Sequence, residues 1–502
     1  MIQASQDWIA RWALYSPNKP AVKEYETGRS LTYEVLNRLS NRLARHFTAE
    51  YGLKKGDRIA LLAENSLEYF VLFGVAQKTG CILVPMNYRL AAPEIDYLIQ
   101  NSEPLLLISE SKFSETLENS ANMALVPHRL TWEALSAFCD ESAPNEHDTE
   151  FNLTPVDEDD PIFILYTSGT TGFPKGALYT HKMLFWNSIN TAMSLIVNSE
   201  SRTVNVMPPF HTGGWNVLTT PFLHHGGYSV LMRKFDPEIV LQLLQEEKLS
   251  LFMAVPTMLK MMAESPGFEA AEFPHLHYFI VGGEAMPIPL IERWHSKKVP
   301  IRQGFGLTEV GPNLTSLHQD DAIRKKGSIG RPNYYVEIKI VDERGGELPF
   351  DNAGEFLLKG PMVTPGYWRN PDATAKAIVD GWFHTGDMVR MDAEGYLYVV
   401  DRIKNMFISG GENVYPAEVE RVLLTHPGVA EAAIIGVPDE KWGEVGLAFV
   451  VTKPGVSAAP EALESFCKER LAKFKVPKYF RFIESLPKND TGKINRMALK
   501  SL

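Results

Sequence analysis

A glycine- and threonine-rich segment at residues 166–176 holds the first side chains whose types and spacing could do chemistry. It reads YTSGTTGFPKG and follows the apolar run 162–166. Glycine lets backbone amides approach an anion closely, hydroxyls donate hydrogen bonds, and lysine adds a positive charge. These groups come from Thr167, Ser168, Gly169, Thr170, Thr171, Gly172 and Lys175. Because Gly176 follows Lys175, the segment does not match GxxxxGK[ST], and its ordered string favours a phosphate-binding loop of another kind over an ordinary hairpin with an exposed lysine.

Alternating apolar runs and helical patterns surround this segment. Strands are predicted at 59–63, 81–85, 105–109, 162–166, 251–255 and 278–282. A helix capped by Asn65 or Ser66 is predicted to continue to Gln77. Regular alternation of this kind predicts an α/β fold, with a large N-terminal domain of mostly parallel sheets with helices.

The pattern changes after residue 400. A helix is predicted to begin at Pro416, and strands follow at 432–437, 447–451 and 478–483. The remaining hundred or so residues are a usual length for one domain. We therefore predict a small α+β C-terminal domain at 402–502, after a large domain at 1–401.

Composition excludes several classes of function. The chain of 502 residues has a formal net charge of -11, which argues against a nucleic-acid partner. Its three cysteines lack the spacing of a zinc site or a disulfide framework, so a cytoplasmic location fits best. No secretory signal or membrane-spanning stretch is expected. Peripheral membrane contact through the arginines at positions 29, 38, 42 and 45 stays open beside a solvated helix face, and so does a homodimer.

The phosphate loop resembles the signature loop of the adenylate-forming superfamily. That superfamily contains acyl-CoA synthetases, aryl-CoA ligases, firefly luciferases and peptide-synthetase adenylation domains. Further motifs follow in the family's order, so the resemblance covers essentially the whole chain. It implies an enzyme that uses ATP and Mg²⁺ to convert a small-molecule carboxylic acid to an acyl-AMP and then passes the acyl group to coenzyme A (CoA). It also implies that the small domain is mobile, and the chain most resembles bacterial medium- and long-chain fatty acyl-CoA ligases.

The resemblance extends to a nucleotide site. The string GFGLTE is similar to the family segment that packs on adenine, which assigns Gly304, Phe305, Gly306 and Thr308 to the nucleotide. Glu309, with the hydroxyl of Thr167, is the expected Mg²⁺ ligand, although a helix start at Thr308 would also explain the pattern. The family usually has tyrosine at Phe305, so the aromatic face is kept and the hydroxyl is lost. The string GGEA resembles the lining of the adenine and acyl sites, which assigns Gly282, Gly283 and Glu284.

Three charged residues in later motifs complete the expected adenylation site. Asp387, in HTGD, takes the family's ribose-binding position, and Arg402, in DRIKN, its ribose- and phosphate-contacting position. Lys493, in LPKNDTGKINR, resembles the lysine that enters the active site during adenylation. A cation there would stabilise the negative charge that grows on phosphoryl and carboxylate oxygens, and Lys175 would assist it. Alone, these side chains would be interpreted as surface charges.

The resemblance also assigns residues to thioester formation. Lys404 takes the hinge position, about which the small domain would rotate. Gly410 and Gly411 would then allow the backbone to approach the pantetheine arm of CoA. Lys441 and Trp442 are further expected CoA contacts.

An acyl pocket is expected at PPFHTGGW, residues 208–215. His211 takes a family position beside the acyl and pantetheine channel, so it is assigned a catalytic and a substrate-contacting role. A core histidine is the alternative, and a zinc site lacks a partner with ligand spacing. Amino-acid-activating members carry aspartate there, so His211 argues against an amino acid. Trp215 resembles a tryptophan that gates the fatty-acid tunnel, with a plain core residue as the alternative.

A medium- or long-chain fatty acid is therefore the predicted substrate, and a coumarate- or benzoate-type aryl-CoA ligase is the main alternative. A luciferase-type side activity stays open. The intact charged residues of the motifs argue against a catalytically silent nucleotide-binding homologue. A serine or metal hydrolase is set aside because GxSxG and HExxH are absent from the sequence.

Overall fold

The structure is a computed structural model that describes residues 6–141, 150–167, 174–410, 412–456, 458–489 and 492–502. Its helices are α1 (Trp8–Tyr15), α2 (Tyr33–Tyr51), α3 (Glu68–Thr79), α4 (Ala92–Ser102), α5 (Ser114–Glu118), α6 (Trp132–Phe138), α7 (His181–Leu195), α8 (Thr212–Trp215), α9 (Thr219–His225), α10 (Pro237–Glu246), α11 (Pro256–Glu264), α12 (Ile288–Ser296), α13 (Pro371–Ala377), α14 (Pro416–Leu424), α15 (Pro460–Lys468) and α16 (Arg496–Lys500).

The strands, in chain order, are β1 (Pro20–Glu24), β2 (Ser30–Thr32), β3 (Arg58–Leu62), β4 (Ile82–Pro85), β5 (Leu106–Ser109), β6 (His128–Thr131), β7 (Pro161–Thr167), β8 (Lys175–Thr180), β9 (Arg202–Asn205), β10 (Tyr228–Leu231), β11 (Leu251–Ala254), β12 (Tyr278–Val281), β13 (Ile301–Phe305), β14 (Thr315–Ser316), β15 (Arg331–Pro332), β16 (Glu337–Val341), β17 (Ala353–Lys359), β18 (Ile378–Val379), β19 (Trp382–Met391), β20 (Leu397–Arg402), β21 (Phe407–Ser409), β22 (Glu412–Val414), β23 (Val429–Asp439), β24 (Gly443–Thr452) and β25 (Tyr479–Phe482).

Three sheets contain parallel pairings, and two of them carry the phosphate loop and the GGEA and GFG segments. One has the order β6-β5-β3-β4-β7-β8, another β2-β1-β10-β9, and the third β11-β12-β13-β14-β15. Within them β3, β4, β5, β6 and β7 pair in parallel, as do β11, β12 and β13. The carboxyl ends of parallel strands meet at one edge of a sheet, where α/β proteins bind ligands. The predicted α/β fold is confirmed.

A fully antiparallel sheet in the second half of the chain was not predicted. Strands β16, β17, β19 and β18 lie side by side, and β20 pairs with β19. The first four residues of β17 alternate between partly buried and buried positions, as expected for a sheet with one covered face, and the next two are both buried. This sheet matters for the site because β19 and β20 carry Asp387 and Arg402.

Helix α3 is buried along its whole length, yet its predicted cap is wrong. Leu67 occupies the N-cap position without a side-chain hydrogen bond. The Asn65 amide instead donates to two main-chain carbonyls at 2.9 and 3.1 Å. Ser66 accepts a hydrogen bond from the Trp132 indole at 3.0 Å. Tertiary partners therefore take both side chains away from the helix end.

The C-terminal segment forms a separate sheet with the order β22-β21-β24-β23, and β25 pairs with β24. Side chains alternate between its faces because successive residues of a strand point to opposite sides. One face packs with residues of α14 and α15, and the other with Leu486 and Leu499 of the C-terminal tail. The predicted boundary at 401/402 falls at the end of β20, and the domain limits stay a prediction.

The arginines considered for membrane contact are engaged inside the protein in two cases. Arg42 is 1% exposed and donates to the carbonyls of Phe138 and Asp140 at 2.9 and 2.8 Å. Arg29 forms an ion pair of 2.8 Å with Glu68. These two side chains therefore do not form a lipid-facing surface. In the part of the chain that the structure describes, no helix combines the length and the apolar character needed to cross a bilayer.

Candidate active site

The ends of the phosphate loop are fixed by an antiparallel strand pair. Strand β7 ends at Thr167 and β8 begins at Lys175, and these two residues are paired in register. The Thr167 hydroxyl also lies 3.4 Å from the Lys175 carbonyl. The predicted phosphate contacts Ser168, Gly169, Thr170, Thr171 and Gly172 lie outside the described residues, so their roles stay predictions.

Glu309 lies at the base of this loop. Its Oε1 atom is 3.4 Å from the Thr167 hydroxyl and accepts a hydrogen bond of 3.0 Å from Tyr367. Glu309 sits in a 3-10 turn at Thr308–Val310, and this single turn replaces the longer helix that the pattern at Thr308 also allowed. The turn is held because Thr364 N–H donates to the Glu309 carbonyl at 2.7 Å.

One carboxylate beside a hydroxyl is a donor set typical of Mg²⁺ and not of a metal ion whose ligands all come from the protein. Within the described ranges, no group of three or more His, Cys, Asp or Glu side chains could hold a metal ion. Magnesium is usually held by one or two carboxylates, with substrate phosphates and water completing its coordination. The oxygens of Glu309 and Thr167 therefore fit a magnesium ion shared with a bound nucleotide.

The GFG segment brings the backbone close to its neighbours. A Cβ atom at Gly306 would overlap the backbone carbonyl of Pro312, so only glycine fits. A Cβ at Gly304 would lie 2.9 Å from the Thr315 carbonyl oxygen. The ring of Phe305 is half-buried and contacts Phe356 edge-on at 5.6 Å between centroids, which leaves an aromatic surface at the end of β13.

Asp387 offers one oxygen that the protein does not use. Asp387 and Arg402 pair across β19 and β20, and Oδ1 lies 3.0 Å from the Arg402 Nε atom. The residue is 2% exposed, and among the described residues its buried Oδ2 atom has no hydrogen-bond partner. Burial raises the pKa of Asp387, and Arg402 opposes that shift. Buried acceptors are nearly always hydrogen-bonded, so Oδ2 fits a ligand hydroxyl such as that of a ribose.

Lys493 reaches from the C-terminal segment to the GGEA motif. A Cβ at Gly283 would lie 3.9 Å from the Lys493 Cε atom, and Gly283 has a φ of +88° that side chains rarely adopt. Burial lowers the pKa of Lys493, as does Arg402, while Glu284 and Asp387 act in the opposite direction. Burial raises the pKa of Glu284, and Lys493 opposes it. The structure thus gathers Lys493, Glu284, Asp387 and Arg402 in one electrostatically coupled group.

The base of the Lys493 loop is held by hydrogen bonds and by one ion pair that sequence reasoning missed. Lys493 N–H donates to the Asn489 side chain at 2.9 Å, and Asn489 N–H donates to the Lys493 carbonyl at 2.8 Å. Arg496 then binds Glu420 in a bidentate pair at 2.6 and 3.0 Å. Polar residues in an irregular tail gave no signal for this anchor.

The residues predicted for the hinge and for CoA come from different turns and strands of the small domain. Lys404 sits in the 3-10 turn Ile403–Asn405, and partial burial and Arg402 lower its pKa. A Cβ at Gly410 would lie 2.6 Å from the Trp442 ring, and the Lys441 ammonium is 5.4 Å from the centroid of that ring. Gly411 lies outside the described residues. Here Lys493, not this cluster, lies beside Gly283, and the CoA assignments stay predictions.

The residues predicted for the acyl pocket differ in burial. His211 is half-buried and precedes α8, with its ring 4.4 Å from that of Phe210. Trp215 is 2% exposed, and its indole donates to the Pro209 carbonyl at 2.7 Å. Its ring packs against those of Tyr69, Phe73 and Phe163. Trp215 is thus a core side chain in this conformation, and its gating role stays a prediction.

Gly282, the remaining residue predicted for the acyl site, lies near the GFG segment. A Cβ at Gly282 would lie 3.8 Å from the Gly304 carbonyl oxygen.

Fold and site together are those of an adenylate-forming enzyme. Residues 9–368 match the family described as AMP-binding enzyme, and residues 418–493 match the AMP-binding enzyme C-terminal domain. The chain belongs to the AMP-binding enzyme family.

The similarity to known relatives and to a solved structure extends over almost the whole chain. The chain is similar to a feruloyl-CoA synthase of Amycolatopsis sp, with 37% identity over 492 residues, 98% of this chain and 97% of that protein. It is also similar to the long-chain-fatty-acid–CoA ligase FadD13 of Mycobacterium tuberculosis, with 38% identity over 499 residues, again 98% and 97%. ATP-bound MatB from Rhodopseudomonas palustris superposes with a TM-score of 0.91 at 31% identity, covering 99% of this chain and 98% of that one. The predicted class, an AMP-forming acid–thiol ligase that uses ATP, Mg²⁺ and CoA, is confirmed.

Proposed function

We propose that the protein joins a carboxylic acid to CoA in two half-reactions at one site, with Lys493 serving only the first. In adenylation, a carboxylate oxygen of the acid bonds to the α-phosphorus of ATP, and the bond from that phosphorus to pyrophosphate breaks. In thioester formation, the CoA thiol gives up its proton, its sulfur bonds to the acyl carbon, and AMP leaves. The observation that carries the proposal is the position of Lys493, which belongs to the C-terminal segment yet lies beside Gly283.

Each charged residue has a distinct task during adenylation. Lys493 stabilises the negative charge that develops on the phosphoryl and carboxylate oxygens as the bonds exchange. The Oδ2 atom of Asp387 accepts a hydrogen bond from a ribose hydroxyl, and Arg402 holds that carboxylate in place. Thr167 and Glu309 would hold Mg²⁺, which would neutralise charge on the phosphates. Lys175 adds a positive charge at the end of the phosphate loop.

Thioester formation needs a different orientation of the small domain relative to the active site. Lys404 lies in the turn directly after β20, where a change of backbone angles would rotate everything that follows. Such a rotation would withdraw Lys493 and bring Gly410 and the Trp442 ring toward the acyl-AMP. This division of labour fits domain gating between two chemical steps.

A medium- or long-chain fatty acid is the proposed substrate. The half-buried His211 offers no carboxylate for an amino group, and a movement of Trp215 would open the core to an alkyl chain. A second candidate, an aryl acid, is supported by the similarity of the chain to a feruloyl-CoA synthase.

The division of labour is tested by separating the half-reactions in a Lys493→Ala variant. Carboxylate-dependent exchange of pyrophosphate into ATP should be lost, because the cation at the reacting phosphorus is gone. Formation of acyl-CoA from chemically supplied acyl-AMP should be retained. Lys468→Ala, which removes an exposed lysine of the same domain that pairs with Glu464, is the matched control and should leave both half-reactions intact. Equal loss of both half-reactions in Lys493→Ala would refute the proposal.

The acid is tested with a panel of fatty acids of increasing length and of hydroxycinnamates, scored by CoA-dependent AMP release. Each buried methylene contributes about 0.8 kcal/mol, so kcat/KM should rise about fourfold per methylene until the pocket is filled. A preference for hydroxycinnamates over every fatty acid would replace the fatty-acid proposal by the aryl one. The predicted cytoplasmic location, peripheral membrane contact and homodimer stay predictions.

A further inference from the structure

Tyr367 lies between the two oppositely charged groups of the metal and phosphate site. Its hydroxyl donates to the Glu309 carboxylate at 3.0 Å. The face of its ring lies under the Lys175 ammonium, with 5.2 Å between the nitrogen and the ring centroid. Glu309 and Lys175 therefore each interact with a different part of one side chain.

The backbone holds Tyr367 in this position from both sides. Leu178 N–H donates to the Gly366 carbonyl at 3.1 Å, and Trp368 N–H donates to the Gly176 carbonyl at 2.7 Å, so the segment pairs with the strand that follows the phosphate loop. Tyr367 N–H donates to the Thr374 hydroxyl at 2.9 Å. These hydrogen bonds fix the backbone at Tyr367, and the contacts with Glu309 and Lys175 orient its side chain.

The same segment is tied to the turn that carries Glu309. Thr364 N–H donates to the Glu309 carbonyl, and the Thr364 hydroxyl donates to the Leu178 carbonyl, both at 2.7 Å. The Trp368 indole donates to the Asn101 carbonyl at 2.9 Å, which anchors the far end. Residues 364–368 therefore join the phosphate-loop strand to the metal-site turn as one unit.

A carboxylate and an ammonium that contact the same side chain attract each other. A direct ion pair between Glu309 and Lys175 would use up the charges that a nucleotide and its metal need. The Tyr367 hydroxyl satisfies one oxygen of Glu309, and the negative face of the ring satisfies the lysine. Both charged groups are therefore held in place without neutralising each other.

We propose that Tyr367 is a positioning residue that keeps Glu309 and Lys175 apart and aimed, so that the site is preformed for a magnesium-bound nucleoside triphosphate. The proposal rests on the assignment of Glu309 and Lys175 under the proposed function. It assigns no chemical step to Tyr367, whose hydroxyl keeps its proton.

The test compares Tyr367→Phe, which removes only the hydroxyl, with Tyr367→Leu, which also removes the ring. The readout is the Kd of ATP by calorimetry, with and without Mg²⁺ and without any acid, so that no turnover is needed. Loss of a partner of a metal ligand typically costs 10- to 100-fold in metal affinity, so Tyr367→Phe should bind MgATP about 10-fold more weakly while metal-free ATP binds as in wild type. Tyr367→Leu should weaken both, because Lys175 is then drawn to Glu309.

Tyr398→Phe is the matched control, since its hydroxyl also contacts a carboxylate, Asp392, at 3.3 Å outside the site. It should leave both Kd values unchanged. Equal Kd values for MgATP in Tyr367→Phe and wild type, or equal losses with and without Mg²⁺, would overturn the proposal. A wild-type protein that binds MgATP but catalyses no acid-dependent pyrophosphate exchange would refute the proposed function instead, so the two failures are distinguishable. The Tm of the ligand-free variants shows whether a loss of binding reflects unfolding.

Discussion

Replacing Asp387 by asparagine tests the nucleotide site at the atom that the protein leaves unpaired. The substitution keeps the shape of the side chain but replaces one of its two acceptor oxygens by an amide nitrogen. Oδ1 already accepts from Arg402 at 3.0 Å, and Oδ2 has no partner among the described residues, so the two oxygens have separate tasks. Asparagine can retain only one of them.

The expected magnitude follows from the kind of hydrogen bond that is lost. A hydrogen bond to a charged group contributes about 1.5–3 kcal/mol, which corresponds to a loss of about 10- to 150-fold in affinity. Asp387→Asn should therefore raise the Kd of AMP by that factor. Binding of 2′,3′-dideoxy-AMP should be equally weak in wild type and in the variant, because the hydroxyl that would contact the carboxylate is missing from the ligand.

The stability of the ligand-free protein should move the other way. Burial raises the pKa of Asp387, so its charged form is disfavoured in the folded state and destabilises the fold at neutral pH. That unfavourable contribution disappears as the pH falls below the pKa of an unfolded aspartate. Arg402 is 43% exposed in its side chain, so losing its charged partner costs little. Asp387→Asn should thus raise the Tm at pH 7, by an amount that shrinks toward pH 4.

The assay is calorimetry of both nucleotides together with thermal unfolding across the pH range. Asp392→Asn is the control, because Asp392 pairs with Lys325 at 2.8 Å away from the site and should leave AMP affinity unchanged. If Asp387→Asn lost affinity equally for AMP and for the dideoxy nucleotide, the carboxylate would not contact the ribose. That result would refute the reasoning.

Three further substitutions test other parts of the site. Gly306→Ala places a Cβ against the Pro312 carbonyl, so the segment must shift. The rate of adenylation should therefore fall about 100-fold, and pyrophosphate exchange at the wild-type rate would contradict this. Arg496→Met leaves the carboxylate of Glu420, a residue that is 8% exposed, without its cation. Hydrogen exchange of the β23 amides should then show that the local stability falls by about 3–5 kcal/mol. Unchanged protection would mean that the pair does not anchor the tail. Trp215→Ala should lower stability by about 3–5 kcal/mol and also change the chain-length profile of kcat/KM; a profile of unchanged shape would make Trp215 a core residue only.

Residues at the ends of parallel strands were the most accessible to sequence reasoning. Thr167 ends β7, Gly282 follows β12, and Gly304 lies in the last part of β13, so a motif recognised in the sequence also had a place in the fold. The order of motifs along the chain then indicated Glu309 and Lys493. Where Glu309 and Lys493 lie in space depends on how the sheets are arranged and cannot be read from these two residues themselves.

What sequence reasoning missed depends on contacts between distant segments. Tyr367 is 58 positions after Glu309, and a tyrosine between Gly366 and Trp368 is typical of a packed core as much as of a site. Asn65 and Ser66 have the composition of a helix cap, yet partners from other parts of the fold occupy them. Local patterns predict local structure well only where no stronger tertiary partner competes.

The ion pair between Arg496 and Glu420 also bears on how the two half-reactions exclude each other. Glu420 lies in α14, which begins just after the segment proposed to approach CoA, and Arg496 lies three positions after Lys493. Glu420 further accepts from the Ile434 N–H at 2.7 Å, so the pair is built into the central hairpin of the small domain. In the proposed cycle, the Lys493 loop and the Gly410 segment are therefore parts of one rigid body. In that cycle, withdrawing the adenylation lysine and delivering the CoA-facing segment would be a single movement, so CoA would reach acyl-AMP only after Lys493 has left the site.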